Sequence, residues 1–416
     1  MNTDHLWMPY AQMKTAPAPL AVRATHGTRI VLDDGRELID GISSWWTAVH
    51  GYNHPHIAQA VQRQLAIMPH VMFGGLVHEP AATLATRLSG LLPGDLERVF
   101  FSESGSVAVE IAMKMAVQYW RNKGVRGRSH FLAFRGSYHG DTFATMAVCD
   151  PSGGMHGHFA GTLVPQRFAD LPTDEATLCA LERMLAEHAH ALAAIIVEPL
   201  VQGAGGMLFH DAATLQRIRA LADRYDTLLI FDEIFTGFGR TGTLFACEAA
   251  DVVPDIITLS KALTGGTLPL AATIARSGVF DAFWSNDPTH ALMHGPTYMG
   301  NALACAAAHA SLDLFEREPR LAQVARIAEG LHALEAARGL PGVRDVRVRG
   351  AIGVVELERI DDMNALKAHF IAAGVWVRPF RNIVYLAPAY TIDVQDLALL
   401  TDAIVGVVAR HAPTGI

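Results

Sequence analysis

The sequence predicts an α/β protein, with a large central domain of mostly parallel sheet covered by helices and a smaller α+β domain assembled from both chain ends. Three observations carry this. "HFLAF", "ALAAIIVEP", "TLLIFDE" and "DIITLSK" are short, nearly unbroken apolar runs, the pattern of strands buried on both faces. Helical periodicity lies between such runs, which implies crossover connections and therefore parallel pairing. From about Ser311 the style changes, and "GVRDVRVRGAIGVVELE" and "GVWVRPFRNIVYLAPAY" alternate polar and apolar residues, as antiparallel strands with one wet face do.

Taken in order, "TRIVLDDGRELIDGISSWW" reads as a hairpin, with two apolar runs flanking a two-residue turn at Asp34-Gly35. A helix is expected from Pro55 to Met68. The clearest helix lies in "SGSVAVEIAMKMAVQYWRNKG": Ala108, Ile111, Ala112, Met115 and Tyr119 form one face, and Glu110, Lys114, Gln118 and Arg121 the other. Glu110 and Lys114 are placed for an i,i+4 pair, and Gly124 for the stop. Another helix is expected from Ala212 to Tyr225, a long Ala-, Arg- and Glu-rich one after Ser311, and a last one from Val394 to Arg410. The domain edges expected from this reading are 1–52 for the N-terminal part of the small domain, 53–312 for the large domain and 313–416 for the C-terminal part of the small domain.

The chain has 416 residues, half of them apolar, and charged residues make up only 18%. That is below the usual ~25% and hints at surface buried in an oligomer. A net charge of −8 and the lack of Lys/Arg runs argue against nucleic acid. Cys149, Cys179, Cys247 and Cys305 form no C-x-x-C pair, so neither a zinc knuckle nor a redox dithiol is indicated, and scattered cysteines suit a reducing cytoplasm. The N-terminal stretch does not read as a signal peptide, and no apolar run approaches the ~18 residues of a membrane span. His50, His54, His56, His70 and His78 match no metal-ligand spacing, so no metal is expected.

Two strands end on ionisable groups: "LLIFDE" on Asp232 and Glu233, "DIITLSK" on Lys261. In open α/β sheets ligands sit beyond such carboxyl ends. The bland alternative, an internal salt bridge, is weak because burying a bare ion pair often gains no stability. A partly buried lysine can lose its proton and form Schiff bases, and a carboxylate can hold a protonated ring nitrogen; pyridoxal phosphate needs both. "SESGSVAVE" places Gly105 and Ser106 at a helix start, where free N–H groups favour an anion, although alone the segment reads as an ordinary Ser N-cap. In "GSYHGDT", Tyr138 follows a strand and can stack on a flat ring, although alone the motif reads as a packed loop tyrosine. "GAGGM" at Gly203 does not complete G-x-G-x-x-G, and "GSYHG" has tyrosine where a nucleophile elbow needs serine.

Together "LLIFDEIFTGFGRTG", "TLSKALTGG" and "SYHGDT" resemble the class III, or omega, aminotransferases of PLP fold type I, and the resemblance runs over almost the whole chain. "SSWWTAVHGYNHP", "SESGSVAVEIAMKMAVQYW", "HGPTYMGNALAC" and "VWVRPFRNIVYL" resemble the biotin-pathway branch of that family. The resemblance implies that Lys261 is the Schiff-base and proton-shuttling lysine, that Asp232 binds the pyridinium, and that Gly105 and Ser106 hold the phosphate. It implies that Pro296 and Thr297 reach the phosphate of a neighbouring subunit's cofactor, with Gly295 beside the substrate. Tyr138 would stack on the ring and touch substrate, and Tyr10, Trp45 and Arg378 would line the substrate pocket, Trp46 remaining unassigned. Trp45 and Arg378 can also be read as a core and a surface residue. The activity implied is amino transfer to 8-amino-7-oxononanoate, the donor being S-adenosylmethionine in most members and lysine in some, by a cytoplasmic homodimer with shared active sites. The alternatives are an omega aminotransferase acting on ornithine, 4-aminobutyrate or a diamine, or a non-catalytic PLP-fold protein. Tyr298, where relatives often have phenylalanine, and "LAPAY" depart from the family pattern.

Overall fold

A computed structural model describes residues 2–152 and 155–411. The chain divides into two compact units, residues 55–321 on the one hand and 1–54 with 322–416 on the other. The sequence placed the second edge at 312/313, which falls inside the helix Ala302–Arg317. Ile57, Ala307, Ala310 and Leu314 form one apolar cluster there, so that helix stays with the larger unit as far as its own end.

The larger unit is built on a seven-stranded sheet. In spatial order its strands are Leu96–Ser102, Ala271–Arg276, Ile256–Leu259, Leu228–Asp232, Leu192–Val197, His130–Phe134 and Arg167–Ala169. Only Ala271–Arg276 runs antiparallel to its neighbours. The four strands read from sequence are the buried middle of this sheet. Leu96–Ser102, Ala271–Arg276 and Arg167–Ala169 were not anticipated, the first because Glu97 and Arg98 break its apolar run near the start and the last because it has three residues. Helix Gly105–Asn122 lays Ala108, Ile111, Ala112 and Met115 on the sheet, as its periodicity requires, with Tyr119 only partly covered. Ser104 caps it, and Val125 N donates to Trp120 O beyond Gly124 at φ +79°. The Glu110–Lys114 pair does not form. Glu110 instead accepts from Thr142 Oγ1 (2.6 Å) and Ala144 N (3.0 Å), capping the helix Phe143–Ala147, and Lys114 Nζ donates to Met293 O (2.6 Å). Partners from other segments outcompete a helix-surface pair worth only ~0.2–0.5 kcal/mol.

The smaller unit holds a four-stranded sheet of Val22–His26, Arg29–Leu32, Glu37–Asp40 and Val375–Trp376, and a three-stranded antiparallel sheet of Val343–Arg349, Ile352–Leu357 and Ile383–Leu386. The hairpin at Asp34-Gly35 exists, but its connection is four residues, Asp33 to Arg36. Gly35 N donates to Leu32 O (3.1 Å) and Arg36 N to Asp34 Oδ1 (3.0 Å). Of the wet-faced strands expected, only Val343–Arg349 is one; Ile352–Leu357 and Ile383–Leu386 are almost wholly buried. The long helix after Ser311 is interrupted at Glu318-Pro319 into Ala302–Arg317 and Arg320–Leu331, because proline cannot continue the first helix. Val375–Trp376 pairs in parallel with Glu37–Asp40, which is how the two chain ends share a sheet.

Candidate active site

The central strand Leu228–Asp232 is flanked by parallel partners on both sides, with Asp232 opposite Thr258 at its carboxyl end. Its carboxylate is 4% exposed and takes three donors: His139 Nδ1 (2.8 Å), Ile234 N (3.1 Å) and Thr258 Oγ1 (3.3 Å). A buried carboxylate with this set of donors is fixed in one orientation. Glu233, the next residue, points to the other side of the strand. It accepts from Ala246 N, Cys247 N (both 2.8 Å) and Thr236 Oγ1 (3.2 Å), and so caps the helix Ala246–Ala250. Burial pushes Glu233 up to about 7. Its structural task leaves Asp232 as the candidate functional acid of the pair.

Lys261 lies two residues beyond the strand Ile256–Leu259, in the left-handed region at φ 44°. A non-glycine residue there is strained, a feature found at functional sites. Burial lowers its ammonium to about 8, while the charges of Asp232, Glu198 and Asp141 act the other way. Those opposing charges put the amine and the Asp232 carboxylate in one electrostatic cluster. A lysine lowered this far has a sizeable neutral, nucleophilic fraction near neutral pH.

Glu198 was not picked out from sequence, and His139 was given no role of its own. Glu198 ends "ALAAIIVEP", so the rule that singled out Asp232 and Lys261 also points to it. Its carboxylate accepts from Tyr138 N and Gly203 N (both 2.9 Å), and burial pushes it up to about 7. It thereby ties the Tyr138 loop to the "GAGG" turn, whose Gly205 approaches Gly136 so closely that a Cβ would fall 1.6 Å from Gly136 O. His139, beside Tyr138 in the quoted motif, is fully buried on Asp232. Tyr138 is half-buried, its ring stacked 5.9 Å from that of His156.

Ser106 and Gly140 meet at the start of helix Gly105–Asn122. Asp141 N donates to Ser106 Oγ (3.2 Å), and a Cβ on Gly140 would come 2.3 Å from that oxygen. Gly105 is similarly close to Ile234, two residues past Asp232, where a Cβ would sit 2.9 Å from the side chain. The larger unit therefore brings together Lys261, Asp232, Tyr138, Gly105 and Ser106. Gly295, Pro296 and Thr297 lie on a largely exposed loop before helix Ala302–Arg317, bonded locally through Met299 N to Pro296 O (3.1 Å). In the smaller unit, Arg378 stacks its guanidinium 4.7 Å from the centre of the Trp45 ring, and Tyr10 meets that ring edge-on at 6.3 Å. Trp46 is buried against Tyr385. Among the described residues no group of three or more His, Cys, Asp or Glu could hold a metal, and no helix is long and apolar enough to cross a membrane.

The family model for aminotransferase class-III matches residues 10–408. The chain is a class-III aminotransferase.

The relatives of this aminotransferase include the adenosylmethionine-8-amino-7-oxononanoate aminotransferase of Mycobacterium leprae, 49% identical over 98% of the chain and 95% of the relative. The enzyme of the same name from Corynebacterium glutamicum is 44% identical over 96% of each. Among solved structures, the same-named enzyme of Methanocaldococcus jannaschii superposes with a TM-score of 0.93 at 31% identity, covering 99% of this chain and 98% of that one. An amine transaminase from an uncultivated Pseudomonas species, in its PLP-bound form, superposes at 0.91 with 32% identity, covering 98% and 99%. As a class-III aminotransferase the protein is PLP-dependent. The donor set fits that cofactor: a lowered lysine for its aldehyde, a buried carboxylate for its ring nitrogen, and a helix start cleared of side chains by Gly105 and Gly140 for its phosphate.

Proposed function

We propose that this aminotransferase transfers an amino group to 8-amino-7-oxononanoate in biotin synthesis, giving 7,8-diaminononanoate, with S-adenosylmethionine as donor. The observation that carries the reading is the 49% identity, over nearly full length, to a relative of that name. Trp45, Tyr10 and Arg378, clustered in the smaller unit, support it. The substrate is a long alkyl chain ending in a carboxylate, and it requires an apolar wall and a cation.

Bound pyridoxal phosphate supplies an electron-withdrawing ring that stabilises negative charge at the substrate carbon. Lys261 would bind the cofactor's aldehyde and, when not so bound, would be the base that moves a proton on and off the substrate carbon; its lowered pKa suits that task. Asp232 would keep the ring nitrogen protonated, and His139 and Thr258 fix the carboxylate's orientation. Gly105 and Ser106 would hold the phosphate, and Tyr138, anchored by Glu198, would cover the ring and touch substrate.

The protein works as a cytoplasmic homodimer in which Pro296 and Thr297 reach the partner subunit's phosphate and Gly295 borders the substrate. The exposure of Phe143, Val164, Trp284, Met293 and Tyr298 supports this, since so much bare apolar surface on one unit suits a second copy covering it. The deciding experiment supplies purified protein with the oxononanoate and with each donor separately. Product with S-adenosylmethionine bears the proposal out. Product with lysine alone changes the donor, and turnover only of ornithine, 4-aminobutyrate or a diamine overturns it.

A further inference from the structure

Ser43, Ser44, Trp45 and Trp46 have φ of 42°, 48°, 55° and 74°, and Ser44 and Trp45 have ψ of 60° and 49°. The bonds Trp46 N to Ile42 O (2.8 Å) and Thr47 N to Ser43 O (2.9 Å) close i→i+4 rings. This is a left-handed α-turn made of four L-residues without a glycine. Each Cβ in that conformation crowds the following carbonyl, so left-handed residues occur singly and do not follow one another unless their surroundings over-determine them.

The surroundings here centre on one carboxylate. Asp40 is 1% exposed and ends the strand Glu37–Asp40. Its Oδ1 accepts from Ile42 N (2.9 Å), and its Oδ2 accepts from Ser44 N (2.8 Å) and from Tyr52 Oη (2.6 Å). Because the Tyr52 hydroxyl gives its proton to Asp40, it accepts from Ser44 Oγ at 2.6 Å, so Ser44 is gripped by main chain and side chain together. Burial and the adjacent carboxylate push the Tyr52 hydroxyl upward, so it stays a donor. Burial also pushes Asp40 up, and the donors around it act against that. Ser43 Oγ donates to Ala387 O (2.9 Å), and Thr47 Oγ1 to Ser44 O (2.9 Å). Asp40 is also the residue paired with Trp376, and Gly41 N donates to Trp376 O (3.0 Å). The turn carrying Trp45 and the segment carrying Arg378 thus leave from the same pair of strand residues, one after Asp40 and the other after Trp376.

We propose that Asp40 is a positioning residue for substrate: with Tyr52 it locks the left-handed Ser43–Trp46 turn, and the locked turn holds the Trp45 ring against Arg378. This rests on the reading that Trp45 and Arg378 bind the oxononanoate. An unlocked turn relaxes toward right-handed or extended backbone, which rotates Trp45 out of that stack. The expected consequence is a loss in substrate affinity with the chemistry intact.

Ser44 makes a discriminating test possible, because its side chain is exposed and its replacement leaves no cavity. Asp40→Asn leaves one acceptor oxygen where two served three donors. It is expected to raise KM for the oxononanoate about tenfold, with kcat within about twofold and the visible absorbance of bound cofactor unchanged. Adding Ser44→Gly, which takes positive φ without steric cost, is expected to restore KM to within about threefold of the parent. Adding Ser44→Ala, which loses the same hydroxyl but keeps a Cβ, is expected to restore nothing. If Asp40→Asn does not fold, Tyr52→Phe replaces it throughout, removing one of the three donors. An unchanged KM in Asp40→Asn, or rescue by alanine equal to that by glycine, overturns the proposal. Trp45→Ala, measured in parallel, separates the two ideas. If it raises KM while Asp40→Asn does not, the pocket reading stands and the positioning role falls; if it leaves KM unchanged, both fall.

Discussion

Replacing Asp232 by asparagine keeps the shape of the side chain and removes its charge. In the folded protein the carboxylate is 4% exposed and bonded to His139 at 2.8 Å, so little solvent screens it. A close carboxylate shifts a partner's pKa by ~1–3 units, about 1.4–4 kcal/mol. Burial places the effect on the ring nitrogen toward the middle of that range or above, so Asp232→Asn is expected to lower kcat ~10²-fold or more, about 2.7 kcal/mol of barrier. KM should move little, and cofactor should stay covalently attached through Lys261. The control is Glu233→Gln. Glu233 holds Ala246 N, Cys247 N and Thr236, so its loss should lower Tm and leave kcat within about threefold. The assay is steady-state kinetics with cofactor content by absorbance and Tm by calorimetry for both variants. A near-normal Asp232→Asn enzyme beside an inactive Glu233→Gln would refute the assignment and exchange the roles of the two acids.

Borohydride should fix the cofactor to Lys261 alone, and Lys261→Ala should abolish both the reducible band and turnover; a labelled peptide containing another lysine would contradict this. Lys261 is lowered from 10.5 to about 8 in the folded protein. The unfolded chain therefore binds more protons between those values, and the cofactor-free protein should gain stability as pH rises from about 8 to about 10.5, a slope that Lys261→Met should remove. Arg378→Ala should weaken use of the oxononanoate by ~2–3 kcal/mol, as loss of a charge-assisted pair does, with the cofactor spectrum intact; unchanged kinetics would place the carboxylate's partner elsewhere. Mixing Thr297→Ala with Lys261→Ala chains should regenerate activity, since one of the two sites in a mixed dimer is then intact, whereas a fully active monomer by sedimentation would end the shared-site reading.

The buried middle of the sheet was legible in the sequence because strands covered on both faces are unbroken apolar runs, and an ionisable group at the end of such a run stands out. Asp232 and Lys261 came from that contrast alone. The family and its cofactor followed from motifs, and these are local. The helix at Ser104 was equally legible, since cap, periodicity and Gly124 all agree. What the sequence could not decide was competition between distant partners. Glu110 has a lysine four residues on, yet bonds to Thr142 and Ala144, and only the tertiary contacts rank those options. Glu233 and Asp232 are adjacent acids whose tasks separate only when one side chain meets a helix start and the other meets His139. The three unanticipated strands join the sheet through pairing with residues far along the chain, which no local pattern records. The Ser43–Trp46 turn is the extreme case. Nothing in "SSWW" favours left-handed backbone, and local propensity opposes it. That conformation exists because Asp40 and Tyr52, set by their own strand and bridge pairings, supply bonds that outweigh the local steric cost.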